Sequence, residues 1–230
     1  MKIITIFFIL SFQNLVAQNL ILKNGFDSLA YVTDYAEHIV ISGNQKLVDC
    51  MPIMSIDLFH FDTRLKPYTK GRPKPFAGRG MIGMVNYAPK EALYRELIYL
   101  PFPEALSTSQ AYRLSLAVHQ EINQAKYWYP EIQYKLVSAS PNLDYAYHGK
   151  PTGIIPLEKH KKVAAVGWQF CTTEFIADDS YTGILIGVLA VDEKKVSKGF
   201  AGKKGTAASY LFLDEVSIEA LPGKDRVYGN

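Results

Sequence analysis

Cysteine is scarce in this 230-residue chain. Cys50 and Cys171 are the whole complement, too few for the disulfide-dense scaffold of a small secreted domain. The two either pair or pack as buried thiols, and their spacing does not decide between these outcomes. Long apolar runs are missing as well. No stretch approaches the ~18 residues of a membrane-spanning helix, so no such helix is expected. Neither sign of charge dominates: Lys+Arg number 25 and Asp+Glu 22, for a net charge of +3. A dedicated nucleic-acid binder carries a stronger basic excess, so nucleic acid is not expected as a partner. The five histidines, His38, His60, His119, His148 and His160, are scattered without metal-ligand spacing. There is no Gly-x-Ser-x-Gly elbow and no Gly-rich phosphate loop, and neither cysteine has a histidine near it in sequence. These absences point away from an enzyme. Helical periodicity is nearly absent too.

What is present begins with an export signal. Lys2 is followed by an apolar run from Ile3 to Leu10 that only Thr5 interrupts, and Leu15-Val16-Ala17 ends on a small residue. Residues 1–17 are therefore read as a signal peptide, 18–221 as one β-sandwich domain and 222–230 as a loose tail. No cysteine follows the cleavage point, so an N-terminal lipid anchor is not expected.

Beyond it come short runs rich in β-branched and aromatic residues, bounded by Gly, Pro, Asn and Asp. They are Glu37 to Ser42, Gly80 to Tyr87, Tyr94 to Leu100, Tyr112 to Gln120, Ile132 to Ser138, Val163 to Thr173, Thr182 to Val191 and Ser209 to Ala220. This is the pattern of an all-β antiparallel sandwich. In Tyr112 to His119 the alternation puts Leu114, Leu116 and Val118 on one face. Trp168 lies in an apolar run and reads as core. Pro89 to Leu93 reads as one helical turn. Long loops separate the strands. Arg64 to Arg79 carries Arg72 and Arg79 among its basic residues, with Pro67, Pro73 and Pro75 interrupting any ladder. Two further basic loops span Ser138 to Lys162 and Lys194 to Gly205.

The two ends carry a resemblance. Asn24-Gly25-Phe26-Asp27 opens the domain, and Ser209 to Glu219, with Asp214-Glu215-Val216-Ser217-Ile218, closes it. Between them lie Phe76 to Gly83, Tyr94-Arg95-Glu96-Leu97-Ile98, Val166-Gly167-Trp168 to Phe175, and Gly183 to Gly187. In this order the motifs resemble galactose-binding-like jelly-roll domains. These include carbohydrate-binding modules and the N-terminal domain of exported outer-membrane-protein-A-like proteins of the Bacteroidetes. The resemblance covers roughly Asn19 to Ala220 and implies a jelly roll with long loops. The family's early cysteine pair is missing, and no peptidoglycan-binding domain follows, so the chain reads as a stand-alone copy. The resemblance also implies a structural calcium where first and last strands meet, held by Asp27 and Asp214. Calcium takes oxygen ligands from carboxylates and carbonyls, and two aspartates held close without a cation would repel.

Sugar recognition calls for a flat aromatic face beside polar groups. Tyr127-Trp128-Tyr129 is the densest such cluster, although neighbours on a strand face opposite ways. Arg72 and Arg79, with Tyr68 and Phe76 in the same loop, suit an anionic glycan. Arg95 and Glu96 read as an ion pair or a satisfied sheet-face pair. The chain is thus expected to be an exported, non-enzymatic module for a glycan or envelope component, located in the periplasm, at the outer membrane or on the cell surface. Its alternative role is a protein-interaction subunit of an outer-membrane or surface assembly. In either role it meets a membrane only through a partner.

Overall fold

Leu114, Leu116 and Val118 stand two apart in sequence, and all three are buried in the main core, as strand alternation requires. The same logic builds the rest. In this computed structural model the described residues are 20–26, 39–42, 50–53, 55–60, 73–89, 94–121, 125–141, 146–158, 167–199 and 207–222. In chain order the strands are β1 (Leu20–Asn24), β2 (Ile39–Ser42), β3 (Met51–Ile53), β4 (Ser55–His60), β5 (Gly80–Tyr87), β6 (Leu97–Pro101) and β7 (Ala111–Gln120). They continue as β8 (Tyr127–Trp128), β9 (Glu131–Val137), β10 (Gly153–Pro156), β11 (Gln169–Ile176), β12 (Gly183–Gly187), β13 (Ser197–Lys198) and β14 (Ser209–Ala220).

Two antiparallel sheets form a jelly-roll β-sandwich. The larger runs β11-β7-β14-β5-β4-β2, with β1 also on β14. The smaller runs β10-β9-β12-β6-β3, and β13-β8 make a short separate ribbon. The core lies between them. Ile82, Met84, Leu116, Leu211 and Leu213 from the larger sheet meet Ile98, Leu100, Ile132, Leu136 and Ile186 from the smaller. Each fully buried side chain of this size contributes about 1.5–3 kcal/mol. The apolar run starting at Thr182 yields β12, buried at every position.

The first and last strands pair, with Leu20 opposite Glu219 and Asn24 opposite Val216. β14 is long enough to take two neighbours in succession on one side, β5 along residues 209–213 and β1 along 216–219. β7 follows its other side. At the seam between β5 and β1 the register against β7 slips between Asp214 and Ser217, and Glu215 has φ 48°. An extra residue there bends the strand.

Cys50 and Cys171 are both free. Cys50 is part of the core, and burial pushes its thiol up to about 12. Of the two outcomes the sequence leaves open, the structure has two thiols, Cys50 buried and Cys171 half-buried against the core. Among the described residues no helix is long and apolar enough to cross a membrane. Of the helical turn expected at Pro89 to Leu93, residues 90–93 lie outside the described residues.

Candidate functional site

The outward face of the larger sheet is aromatic at one end. Register puts Asp57 opposite Gly83, Gly83 opposite Phe212, and Phe212 opposite His119. Trp168 comes one residue before β11. A second row has Phe59 opposite Met81, then Asp214 opposite Ala117 and Ala117 opposite Phe170. The two rows cross five strands, or roughly 19 Å at the usual interstrand spacing. Phe59, Met81 and Phe212 form a buried floor on this side, with Trp168 and Tyr210 against it.

Gly83 is needed for that floor. A Cβ there would lie 2.0 Å from the Tyr210 hydroxyl oxygen and 2.7 Å from the Phe59 ring. Tyr210 lies in the space this leaves, and its hydroxyl donates to Asp57 Oδ2 at 2.6 Å. His119 stands edge-on to both Trp168 (5.6 Å) and Phe212 (6.0 Å).

Over this floor folds the segment 73–79, the end of the proline-rich basic loop. Three hydrogen bonds to two side chains hold it. Asp214 Oδ2 accepts from the Phe76 and Ala77 amides at 2.8 and 3.2 Å, and the Trp168 indole donates to the Lys74 carbonyl at 2.8 Å. The result is an aromatic cluster open to solvent. Phe76 stacks on Phe170 at 6.0 Å and meets Trp168 edge-on at 6.0 Å. Phe170 is 58% exposed and Phe76 45%, while Trp168, His119, Tyr210 and Asp57 are half-buried. Flat apolar rings beside a carboxylate, a hydroxyl and an imidazole can stack on the C–H face of a sugar and satisfy its hydroxyls.

Trp168 departs from the core reading made above. β11 pairs Cys171 with Leu116 and Phe175 with Tyr112, so its odd-numbered residues face the core. Trp168 and Phe170 consequently point outward.

The Tyr127-Trp128-Tyr129 triplet is divided. Tyr129 is buried and stacks on Tyr87 at 6.2 Å. Tyr127 meets the same Tyr87 ring edge-on, and the Trp128 indole donates to Gln120 Oε1. The triplet anchors the β8 ribbon, and Tyr127 and Trp128 stay half-buried. Arg79 is exposed at the end of the segment bearing Phe76; Arg72 lies outside the described residues. Arg95 and Glu96 do not pair with each other. Glu96 Oε2 accepts from the Val85 amide at 2.7 Å, and Arg95 lies over the Tyr147 ring.

Asp214 is fully buried. Besides the two loop amides, its Oδ1 accepts from the Glu215 amide at 2.8 Å. Burial pushes its carboxyl up to about 7, although the three amides pull the other way. Such a donor set suits a clasp for the 73–79 segment rather than a cation shell, because the N–H dipoles that face the carboxylate would repel a cation. Among the described residues no group of three or more His, Cys, Asp or Glu is placed to hold a metal. The calcium expectation then hangs on Asp27, which lies outside the described residues.

His119, Tyr210 and Asp57 carry no signal in the sequence that marks them as site residues. The even-numbered residues of β11 offered one, since Phe170 and Ile176 are apolar on a face shared with Thr172 and Glu174.

No protein-family model and no curated protein matches the sequence. Solved structures do match. One comprises the CBM22-1 and GH10 modules of an endo-1,4-beta-D-xylanase from Clostridium thermocellum, complexed with xylohexaose (9% identity, TM-score 0.39). That match covers 86% of this chain, which spans 28% of the xylanase chain. Another is a cleaved adhesin domain of Lys-gingipain from Porphyromonas gingivalis, at 16% identity and TM-score 0.43, covering 81% of this chain and 99% of that one. A second such domain of the same protein matches at 12% identity and TM-score 0.42, covering 87% and 99%. None of these TM-scores reaches 0.5, so the functional reading rests on this chain's own side chains.

Proposed function

We propose that this chain is an exported, non-catalytic β-sandwich that binds a glycan on the outward face of its larger sheet. The observation that carries this is the solvent-open cluster of Phe76, Trp168 and Phe170 beside the Tyr210–Asp57 pair. Exposed aromatic rings grouped on a rigid sheet are costly to leave in water and mark a recognition surface. The sheet fixes Trp168 and Phe170, while Asp214 fixes the backbone that bears Phe76. Polar atoms at the other end of the row give the face a direction. Arg79 ends the same segment and extends the site toward an acidic sugar. The apolar run after Lys2 supports export.

A protein partner is the second reading, favoured by one feature. Phe76 and Phe170 lack the polar handle of tyrosine or tryptophan and suit an apolar protein surface.

Glycan-array binding and affinity capture from the cell envelope, run on one preparation, separate the two. Glycan binding by the wild type should fall at least about tenfold in Trp168→Ala and in Phe170→Ala, a loss of about 1.4 kcal/mol or more. Phe170 is 58% exposed and Trp168 half-buried, so both variants should keep the wild-type far-UV spectrum. A stable protein complex with no glycan signal would overturn the first reading.

A further inference from the structure

Arg95 lies on the other sheet, away from the aromatic face, and no acid among the described residues answers its charge. It precedes β6 by two residues and shares the outward side of that strand with Leu97 and Tyr99, which pack with Leu185, Ala146 and Tyr147. Only 7% of Arg95 is exposed. Its guanidinium carbon sits 5.2 Å from the centre of the Tyr147 ring, and the Tyr147 hydroxyl donates to the Arg95 carbonyl. Nε is buried and makes no hydrogen bond.

Among the described residues no carboxylate pairs with this group. Four acids among the described residues are engaged elsewhere. Glu96 accepts from the Val85 amide (2.7 Å), and Glu131 takes Gln133 Nε2 (2.8 Å) and Lys195 Nζ (2.6 Å). Asp192 accepts from the Lys194 amide (3.0 Å) and Glu193 from the Tyr87 hydroxyl (2.6 Å). A buried cation without a counter-charge is costly, and a π face returns only part of that cost. Burial also works against the charged form, lowering the Arg95 pKa from its ordinary value.

We propose that Arg95 is the receptor of a small-oxyanion site, in which a carboxylate or phosphate group supplies the missing counter-charge. The guanidinium, unbonded at Nε, can bind two oxygens side by side. Tyr147 walls one face of the fork, and the residual exposure is the way in. The site is independent of the glycan face.

The test uses the full mature protein with selectively labelled arginine. Sodium phosphate and sodium acetate are titrated separately against sodium chloride at matched ionic strength. The readouts are the Arg95 Nε–Hε resonance and the melting temperature. Phosphate or acetate should shift the resonance saturably and raise the melting temperature above the chloride control, and Arg95→Met should lose the melting-temperature response. A response to phosphate alone identifies a tetrahedral ligand group, and a response to acetate alone a carboxylate. If Arg95→Met does not fold, Arg95→Lys keeps the charge without the fork and should respond more weakly than wild type. A resonance that moves equally in all three salts would overturn the proposal, as would equal melting increments in wild type and variant. Arg95 would then be a structural staple for Tyr147 alone.

Discussion

Asp214 shows how one residue ties the fold to the candidate site. Its carboxylate holds the 73–79 segment by two amides and steadies its own bulge by a third. With a folded pKa of about 7 against about 3.9 unfolded, the native state holds a proton across a window where the unfolded chain does not. Stability from this group is therefore full below about pH 4 and lost as pH rises through about 7, with a slope of at most about 1.4 kcal/mol per pH unit. Asp214→Asn should abolish that part of the pH dependence. It should also cost about 1–3 kcal/mol, since an amide cannot accept on both arms. Urea melts at pH 5 and pH 8 on both proteins measure this. Equal pH dependence in the two would contradict it. Tyr127-Trp128-Tyr129 is dense in aromatics along the chain, yet consecutive side chains diverge and Tyr129 lies in the core.

At the scale of elements, the rows across β4, β5, β14, β7 and β11 depend on close approach at Gly83. Gly83→Ala should displace the Tyr210 ring, break its bond to Asp57 and cost about 1–3 kcal/mol by overpacking. The same substitution should cost less in a Tyr210→Ala background, and a double-mutant cycle on unfolding free energies reads that coupling. Additive costs would mean that the two residues do not share the space. The strands legible in the sequence are those with one apolar face, such as β5, β7 and β14. β3 escaped because Pro52 stands at its centre, tolerated where Met51–Ile53 forms the sheet's edge. β10 escaped because it is four residues long and ends in Pro156. β4 escaped because Phe59 breaks its alternation, being buried on the outward side that the aromatic floor also covers. The apolar run Val163 to Thr173 points to a strand that starts before β11 does, and so puts Trp168 in the core. The site was less legible than the fold. His119, Trp168 and Tyr210 are far apart in the chain and meet through the strand order of the larger sheet, and Phe76 joins them on the segment that Asp214 holds.

For the whole molecule, the pairing of β1 with β14 closes the domain by its own ends. The export proposal predicts that protein recovered from the envelope begins near Gln18. Intact-mass measurement checks this, and an N-terminus that retains residues 1–17 would contradict it. The central claim is that a glycan rests on Trp168 and its neighbours. The chain has two tryptophans, Trp128 and Trp168, so Trp128→Phe leaves Trp168 as the sole indole reporter. The decisive measurement is the emission of that variant as it is titrated with an array-positive oligosaccharide. The account predicts a saturable spectral shift and protection from acrylamide quenching, with the same midpoint as binding. Full binding with Trp168 emission and quenching unchanged would contradict it.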